Sequence, residues 1–318
     1  MPRPASAKHP KRAPSAAKVE ELRGFLDDLM LRYHRPEFLG TDPLAMVHAL
    51  PPGLDREVGA LLAALLAYGN VKQIQRSLNI LFTAMDGRPG RFVSQFNHHH
   101  AAAALDGFKH RFTTADDVLA LCHLLHEALA GADSLEPFFL RGCRFDDETD
   151  LALAAGRFVE NLCAQDFGAH LDRETVITRT SFKHLLPRAD HGSAAKRVHL
   201  WLRWMVRPAD GVDLGLWRTV PASHLLVPVD THLLRLGRHL GFTRLTTHSL
   251  AASREITAAL RRVHPTDPTR YDFALCRLGI LQACPTASRM EACLQCELRL
   301  ACTTHRRLAR KPRHPLSS

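Results

Sequence analysis

From Val19 to Tyr33 the apolar residues Leu22, Phe25, Leu26, Leu29 and Met30 recur at intervals of three and four, and the same period returns along most of the chain. This is the repeat of a helix that buries one face. The segment 55–82 continues it with Val58, Leu61, Leu62, Leu65 and Leu66, and Gly69-Asn70 divides the segment into two helices. Further helices are expected over 101–106, 115–130, 150–163, 194–206, 231–240, 249–263 and 270–282. Strand-type alternation is scarce. Its nearest candidate is Leu225-Leu226-Val227-Pro228-Val229, where the proline weakens a sheet assignment. The expected fold class is all-α, with no internal repeat.

With 318 residues and 46% hydrophobic content, the chain can bury one large core or two ordinary ones. Eight cysteines without an apolar leader argue against a secreted disulfide framework and for a cytoplasmic protein. The most apolar run, 59–66, is far shorter than the roughly 20 residues of a membrane-spanning helix, so no membrane partner is expected. The net charge of +10 is unevenly placed. Residues 1–18 carry Arg3, Lys8, Lys11, Arg12 and Lys18, and residues 303–318 carry Arg306, Arg307, Arg310, Lys311 and Arg313, with no acid in either tail. The body between them is balanced. Basic tails rich in Pro, Ala and Ser suit disordered segments that either solubilise the chain or touch nucleic-acid phosphates.

Cys284, Cys293, Cys296 and Cys302 stand with eight, two and five residues between them. A two-residue gap lets one tight turn present two sulfurs, and four such thiolates suit a 4Fe-4S cluster or a tetrahedral Zn²⁺. Cys122, Cys143, Cys163 and Cys276 read instead as small buried hydrophobes. His98-His99-His100 cannot all face one ion from a helix start and read as a solvated face.

Asp230 precedes the helical pattern Leu233, Leu236, Leu240, where a carboxylate caps the first backbone N–H groups. The positive helix end favours a negative charge there, so the same residue suits stabilising a sugar cation or accepting a proton. Lys196 follows a turn at 186–195 and opens another helix, a position for either an amine nucleophile or a phosphate contact. Arg197, Arg203 and Arg207 interleave with Trp201 and Trp204 in the most basic and aromatic part of the body. Such interleaving suits nucleic-acid contact, although tryptophans at helical spacing are more often core.

Val229-Asp230-Thr231-His232, then Leu233-Leu234-Arg235-Leu236 and the four cysteines beyond, resembles the C-terminal half of endonuclease III and its relatives. These are the helix-hairpin-helix DNA glycosylases that carry a 4Fe-4S cluster. The stretches 192–197, 202–207, Leu216-Trp217 and 271–275 are similar to an uncharacterised bacterial branch of that superfamily. The resemblance is good over 181–302, weaker at 63–70 and absent over 86–180.

It implies a six-helix lobe over 55–200, with a degenerate hairpin near 185–197, and a discontinuous cluster lobe from 19–54 and 201–302. It also implies base excision from double-stranded DNA at a damaged or mismatched base, with Lys196 as Schiff-base nucleophile, Asp230 as activating carboxylate and AP lyase activity as a possible outcome. Cys284, Cys293, Cys296 and Cys302 would hold the cluster, with Zn²⁺ as the alternative. Gly192, Arg197, Arg203 and Asn70 would contact DNA, and the protein would act as a monomer. The rival function is a non-catalytic nucleic-acid-binding protein that keeps the fold and the metal. The sequence departs from the family at three points. Leu186-Pro187 is followed by Arg188-Ala189-Asp190-His191 before Gly192, the first cysteine gap is longer, and an insertion at 207–222 separates Lys196 from Asp230.

Overall fold

The computed structural model of the protein describes residues 16–187, 195–281, 284 and 293–309. Helix dominates it. The elements run α1 (Ala16–Tyr33), a 3₁₀ turn (Pro36–Thr41), α2 (Leu44–His48), α3 (Leu54–Leu65), α4 (Val71–Ala84), α5 (Pro89–Ser94) and α6 (His98–Ala104). A hairpin of β1 (Lys109–His110) and β2 (Thr113–Thr114) leads into α7 (Ala115–Leu129), α8 (Glu136–Leu140), α9 (Ala152–Cys163), α10 (Arg173–Thr178) and α11 (Thr180–Leu185). Then come α12 (Lys196–Val206), α13 (Thr231–Leu240), α14 (Leu250–Val263), α15 (Asp272–Ile280) and a last helix over Thr303–Ala309. Among the described residues no helix is long and apolar enough to cross a membrane.

The helix periods place most elements within a few residues of their expected ends. Gly69 supplies the break between α3 and α4. Its φ of +100° lies where only glycine is comfortable, and a Cβ there would meet the Arg111 guanidinium at 2.8 Å. Asn70 then caps α4, its side chain accepting the Lys72 N–H at 2.9 Å.

The candidate strand at 225–229 is not a strand. It is an extended buried crossing whose backbone is satisfied by side chains: Val227 N–H donates to Thr257 Oγ1 at 3.0 Å, and Ser253 Oγ donates to Val227 O at 2.6 Å. Two hydroxyls on α14 do what a neighbouring strand would do. The β1/β2 pair lies at 109–114, with Lys109 opposite Thr114 and His110 opposite Thr113.

Two hydrophobic cores form. The larger is built from residues between Leu39 and Leu225, with Trp201, Trp204, Phe139 and Phe158 among its fully buried side chains, and takes in Phe273 as well. The smaller joins Leu26, Leu29 and Tyr33 of α1 to Val227, Val229, Leu233, Ile256, Leu260, Tyr271, Leu275 and Leu298. Both chain ends therefore meet in one core, but the division differs from the expected one. Residues 39–50 and 201–225, assigned by sequence to the second lobe, pack in the larger core. The reason is α12: its Trp201 packs against both Phe158 and Trp217, and its Trp204 is fully buried in the same core.

Buried ion pairs clamp the two cores. Arg203 Nε and Nη2 each donate to Asp213 Oδ1 at 3.0 Å, while Nη1 donates to Asp272 at the start of α15. Arg207 pairs with Asp213 and, at 3.0 Å, with Asp267. Arg277 of α15 reaches back to Asp42 at 3.0 Å. Gly279 lets α15 approach α13, since a Cβ at that position would lie 2.7 Å from His232 Cβ.

Candidate active site at the junction of the two cores

A cleft of about 760 Å³ opens where the cores meet. Tyr68, Gly69, Lys196, Arg197 and Leu200 line it from the side of the larger core. Asp230, His232, Asp272, Cys276 and Arg277 line it from α13 and α15. Lys196 and Asp230, proposed as partners from sequence alone, thus face the same cavity despite the 207–222 insertion between them. That insertion folds back on α12, its Leu214 and Gly215 N–H groups donating to Trp204 O at 2.9 and 3.2 Å. It does not push α13 away.

Lys196 is the first residue of α12. Ala195 before it takes a left-handed conformation with φ of +37°, so the chain turns sharply into the helix and leaves Lys196 on the cleft wall. Asp230 caps α13, and its Oδ1 accepts the Leu233 N–H at 2.7 Å. Its Oδ2 accepts from the Cys276 thiol at 3.8 Å, and that sulfur also lies 3.9 Å from Asp272 Oδ1. Burial, with Asp230 and Asp272 adding to it, pushes the Cys276 thiol well above its ordinary range. The thiol is therefore a protonated donor to these carboxylates. Burial also raises the Asp272 carboxyl, against the pull of Arg203. Among the described residues no hydrogen bond or ion pair joins Lys196 to Asp230.

The expected DNA contacts are corrected in two places. Arg203 is 3% exposed and fully engaged by Asp213 and Asp272, so it holds the cores together and cannot grip a phosphate. Arg197 turns inward: it donates to Leu65 O at 2.5 Å and to His184 O, and its guanidinium lies 5.0 Å over the Tyr68 ring. Burial lowers its pKa to about 10. Both side chains answer unsatisfied buried groups at the α12 packing face, a demand invisible in a list of basic residues. Asn70 is exposed at the rim, next to Gly69, with its carbonyl oxygen engaged as the cap of α4. Gly192 lies outside the described residues, as does most of the degenerate hairpin.

Several site residues escaped the sequence reading. Cys276, read as a core hydrophobe, sits on the cleft wall. Its spacing of four from Asp272 on one helix was the available signal. The tip of the β1/β2 hairpin carries Arg111 and Phe112, with Phe112 58% exposed. An aromatic series runs inward from it: Phe112 to His184 at 5.2 Å between ring centroids, His184 to Tyr68 at 4.5 Å, and Tyr68 to His110 at 4.7 Å. Tyr68 is fixed by its hydroxyl, which donates to His110 O at 2.9 Å. These contacts join positions far apart in the chain and leave no local pattern.

The four candidate metal ligands are all free thiols, and Cys284 and Cys296 pack against the smaller core. They stand in one neighbourhood. Burial raises the Cys284 thiol, with Cys302 and Cys293 adding to it and Arg235 opposing; burial raises Cys296 to about 11, with Cys284 and Cys302 contributing. Arg235 of α13 donates to Cys284 O at 2.8 Å, which ties Cys284 to the helix that Asp230 caps. Among the described residues, the one group with three ligand-type atoms within 4.8 Å of one another is His34, Asp210 and Asp213, not the cysteines. Its members are engaged in ion pairs: His34 Nε2 bonds Asp210 at 2.8 Å, and both aspartates pair with Arg207, while His34 Nδ1 is buried without a partner. Tetrahedral Zn²⁺, with Zn–S near 2.3 Å, would draw its sulfurs to about 3.8 Å from one another. The cysteine set stands wider than that.

No curated protein and no solved structure matches the chain. A family match spans residues 42–281, which include Lys196, Asp230, Asp272 and Cys276 and stop short of Cys284. The chain therefore belongs to the family described as protein of unknown function (DUF2400).

Proposed function

We propose that the protein is a DNA glycosylase that excises a damaged or mismatched base from double-stranded DNA. One observation carries the reading: Lys196, at the start of α12, and Asp230, at the cap of α13, line a single cleft between two helical cores. An amine and a carboxylate so placed suit attack at an anomeric carbon. The Lys196 amine bonds to C1′ and its proton passes to Asp230, while the C1′–N bond breaks and the base leaves with the electron pair. Opening of the sugar ring then gives a Schiff base, from which β-elimination can cleave the strand.

A base inside the stack is out of reach of such a site, so the nucleotide has to be turned out of the duplex. The exposed Phe112 beside Arg111, within reach of Gly69 on the cleft rim, suits contact with unstacked bases. Cys284, Cys293, Cys296 and Cys302 would hold a 4Fe-4S cluster, and the bond from Arg235 to Cys284 O ties Cys284 to α13. A bound cluster supplies rigidity there rather than reacting atoms.

A second reading, a nucleic-acid-binding protein without catalysis, draws on the missing direct bond between Lys196 and Asp230 and on the inward turn of Arg197 and Arg203. Incubation with duplexes carrying single damaged or mismatched bases, followed by mass-spectrometric detection of free base, separates the two. Release of a base that is lost in Asp230→Asn supports the enzyme. Tight duplex binding with no base released across the panel supports the binder.

A further inference from the structure

At the far end of α13 from Asp230, a second cavity of about 390 Å³ is lined by Arg238, His239, Thr243, Arg244, Thr303, Thr304 and Arg307. Its lining holds three guanidinium groups and no carboxylate. Arg238, Arg244 and Arg307 make no ion pair with an acid among the described residues. Glu255 is tied to the wall, accepting from Thr243 Oγ1 at 2.5 Å without itself lining the cavity. One basic residue in the last turn of α13 is ordinary complementation of the helix dipole. Three arginines from three separate segments are more than that needs, and they converge where repulsion between them is relieved by an anion.

The donor set defines the ligand class. Guanidinium groups in fork geometry suit tetrahedral oxyanions, while the Thr243 and Thr303 hydroxyls already donate to Glu255 and to His239 O. Arg238 and Arg244 are exposed, so a phosphate can enter without opening either core. We propose that this cavity is a phosphate-binding site, occupied by a backbone phosphate of a nucleic acid or by a free phosphate. Eight residues of helix separate Asp230 from Arg238, about 12 Å at 1.5 Å per residue. Phosphates follow one another every 3.4 Å of duplex axis on each strand, so the cavity lies about three or four phosphates from the cleft. Phosphate binding here needs neither Lys196 chemistry nor the cysteine centre.

The test uses the full-length protein, inorganic phosphate as probe and the double variant Arg238→Ala/Arg244→Ala, with Arg262→Ala as an exposed basic control on α14. Calorimetric titration at low ionic strength is expected to show phosphate affinity falling at least tenfold in the double variant and unchanged in the control, with all three proteins melting alike. In parallel, the slope of log Kd for a DNA duplex against log salt is measured. A slope shallower by about one in the double variant assigns the site to a backbone phosphate. An unchanged slope with lost phosphate binding assigns it to a free phosphate. Equal phosphate affinity in wild type and double variant, or an equal loss in Arg262→Ala, overturns the proposal.

Discussion

The Cys276 thiol donates to Oδ2 of Asp230 across 3.8 Å while Oδ1 of the same carboxylate accepts the Leu233 N–H at 2.7 Å. One oxygen caps a helix and the other faces the cleft, so structural and chemical roles of Asp230 are separable by mutation. Asp230→Asn keeps an acceptor for the cap and is expected to change stability by less than about 1 kcal/mol, while Asp230→Ala loses the cap and costs about 1 kcal/mol or more. Both variants are expected to lose base release. Urea unfolding beside the base-release assay checks this; an active Asp230→Asn would leave the carboxylate with capping alone.

Arg203 offers the sharpest distinction between a clamp and a DNA contact. Arg203→Leu leaves Asp213 and Asp272 buried without their cation, and breaking a buried pair this way costs about 3–5 kcal/mol. Denaturant unfolding is expected to show that loss. A variant as stable as wild type but weakened in DNA binding would return Arg203 to the nucleic-acid surface.

Glu57 in α3 is a pH-sensitive core group. It accepts from Trp217 Nε1 at 2.7 Å and from Leu135 N at 2.8 Å, and burial raises its pKa from 4.5 to about 7 against the pull of those donors. The folded value lies above the unfolded one, so its contribution is fully present below the unfolded pKa and is lost as pH rises through about 7. The loss amounts to about 3 kcal/mol. His199 runs the other way: burial lowers its pKa to about 4, so its contribution is present above its unfolded pKa of 6.5 and is lost as pH falls through about 4. Because the windows overlap, the informative quantity is wild type minus Glu57→Gln. The variant is expected to gain on wild type between pH 4.5 and pH 8; a difference that stays constant refutes the assignment.

The cysteine loop makes a compositional prediction. Anaerobically purified protein is expected to be coloured, to contain about four irons per chain, and to lose both colour and iron in Cys293→Ser. Colourless protein with one equivalent of zinc would replace the cluster by a mononuclear site.

The helices were legible because their apolar repeats are local: each records which face of one element is buried. Asp230 was legible for the same reason, since an N-cap is read three residues along. Arg197 and Arg203 were misread because their partners, Leu65 and His184 for one and Asp213 and Asp272 for the other, are decided by tertiary packing. The strand candidate at 225–229, already weakened by its proline, is an extended crossing whose backbone is satisfied by hydroxyls on α14. Phe112 stood in no apolar stripe, and its exposure follows from a two-residue hairpin that no repeat announces.

On the proposed function, the Lys196 amine reacts from the cleft wall. Borohydride reduction of full-length protein mixed with a duplex containing one abasic site tests it most directly. The expected result is a covalent protein–DNA adduct that disappears in Lys196→Ala and persists in Lys183→Ala, an exposed lysine on α11. An adduct of equal yield in Lys196→Ala, with that variant melting like wild type, contradicts the claim.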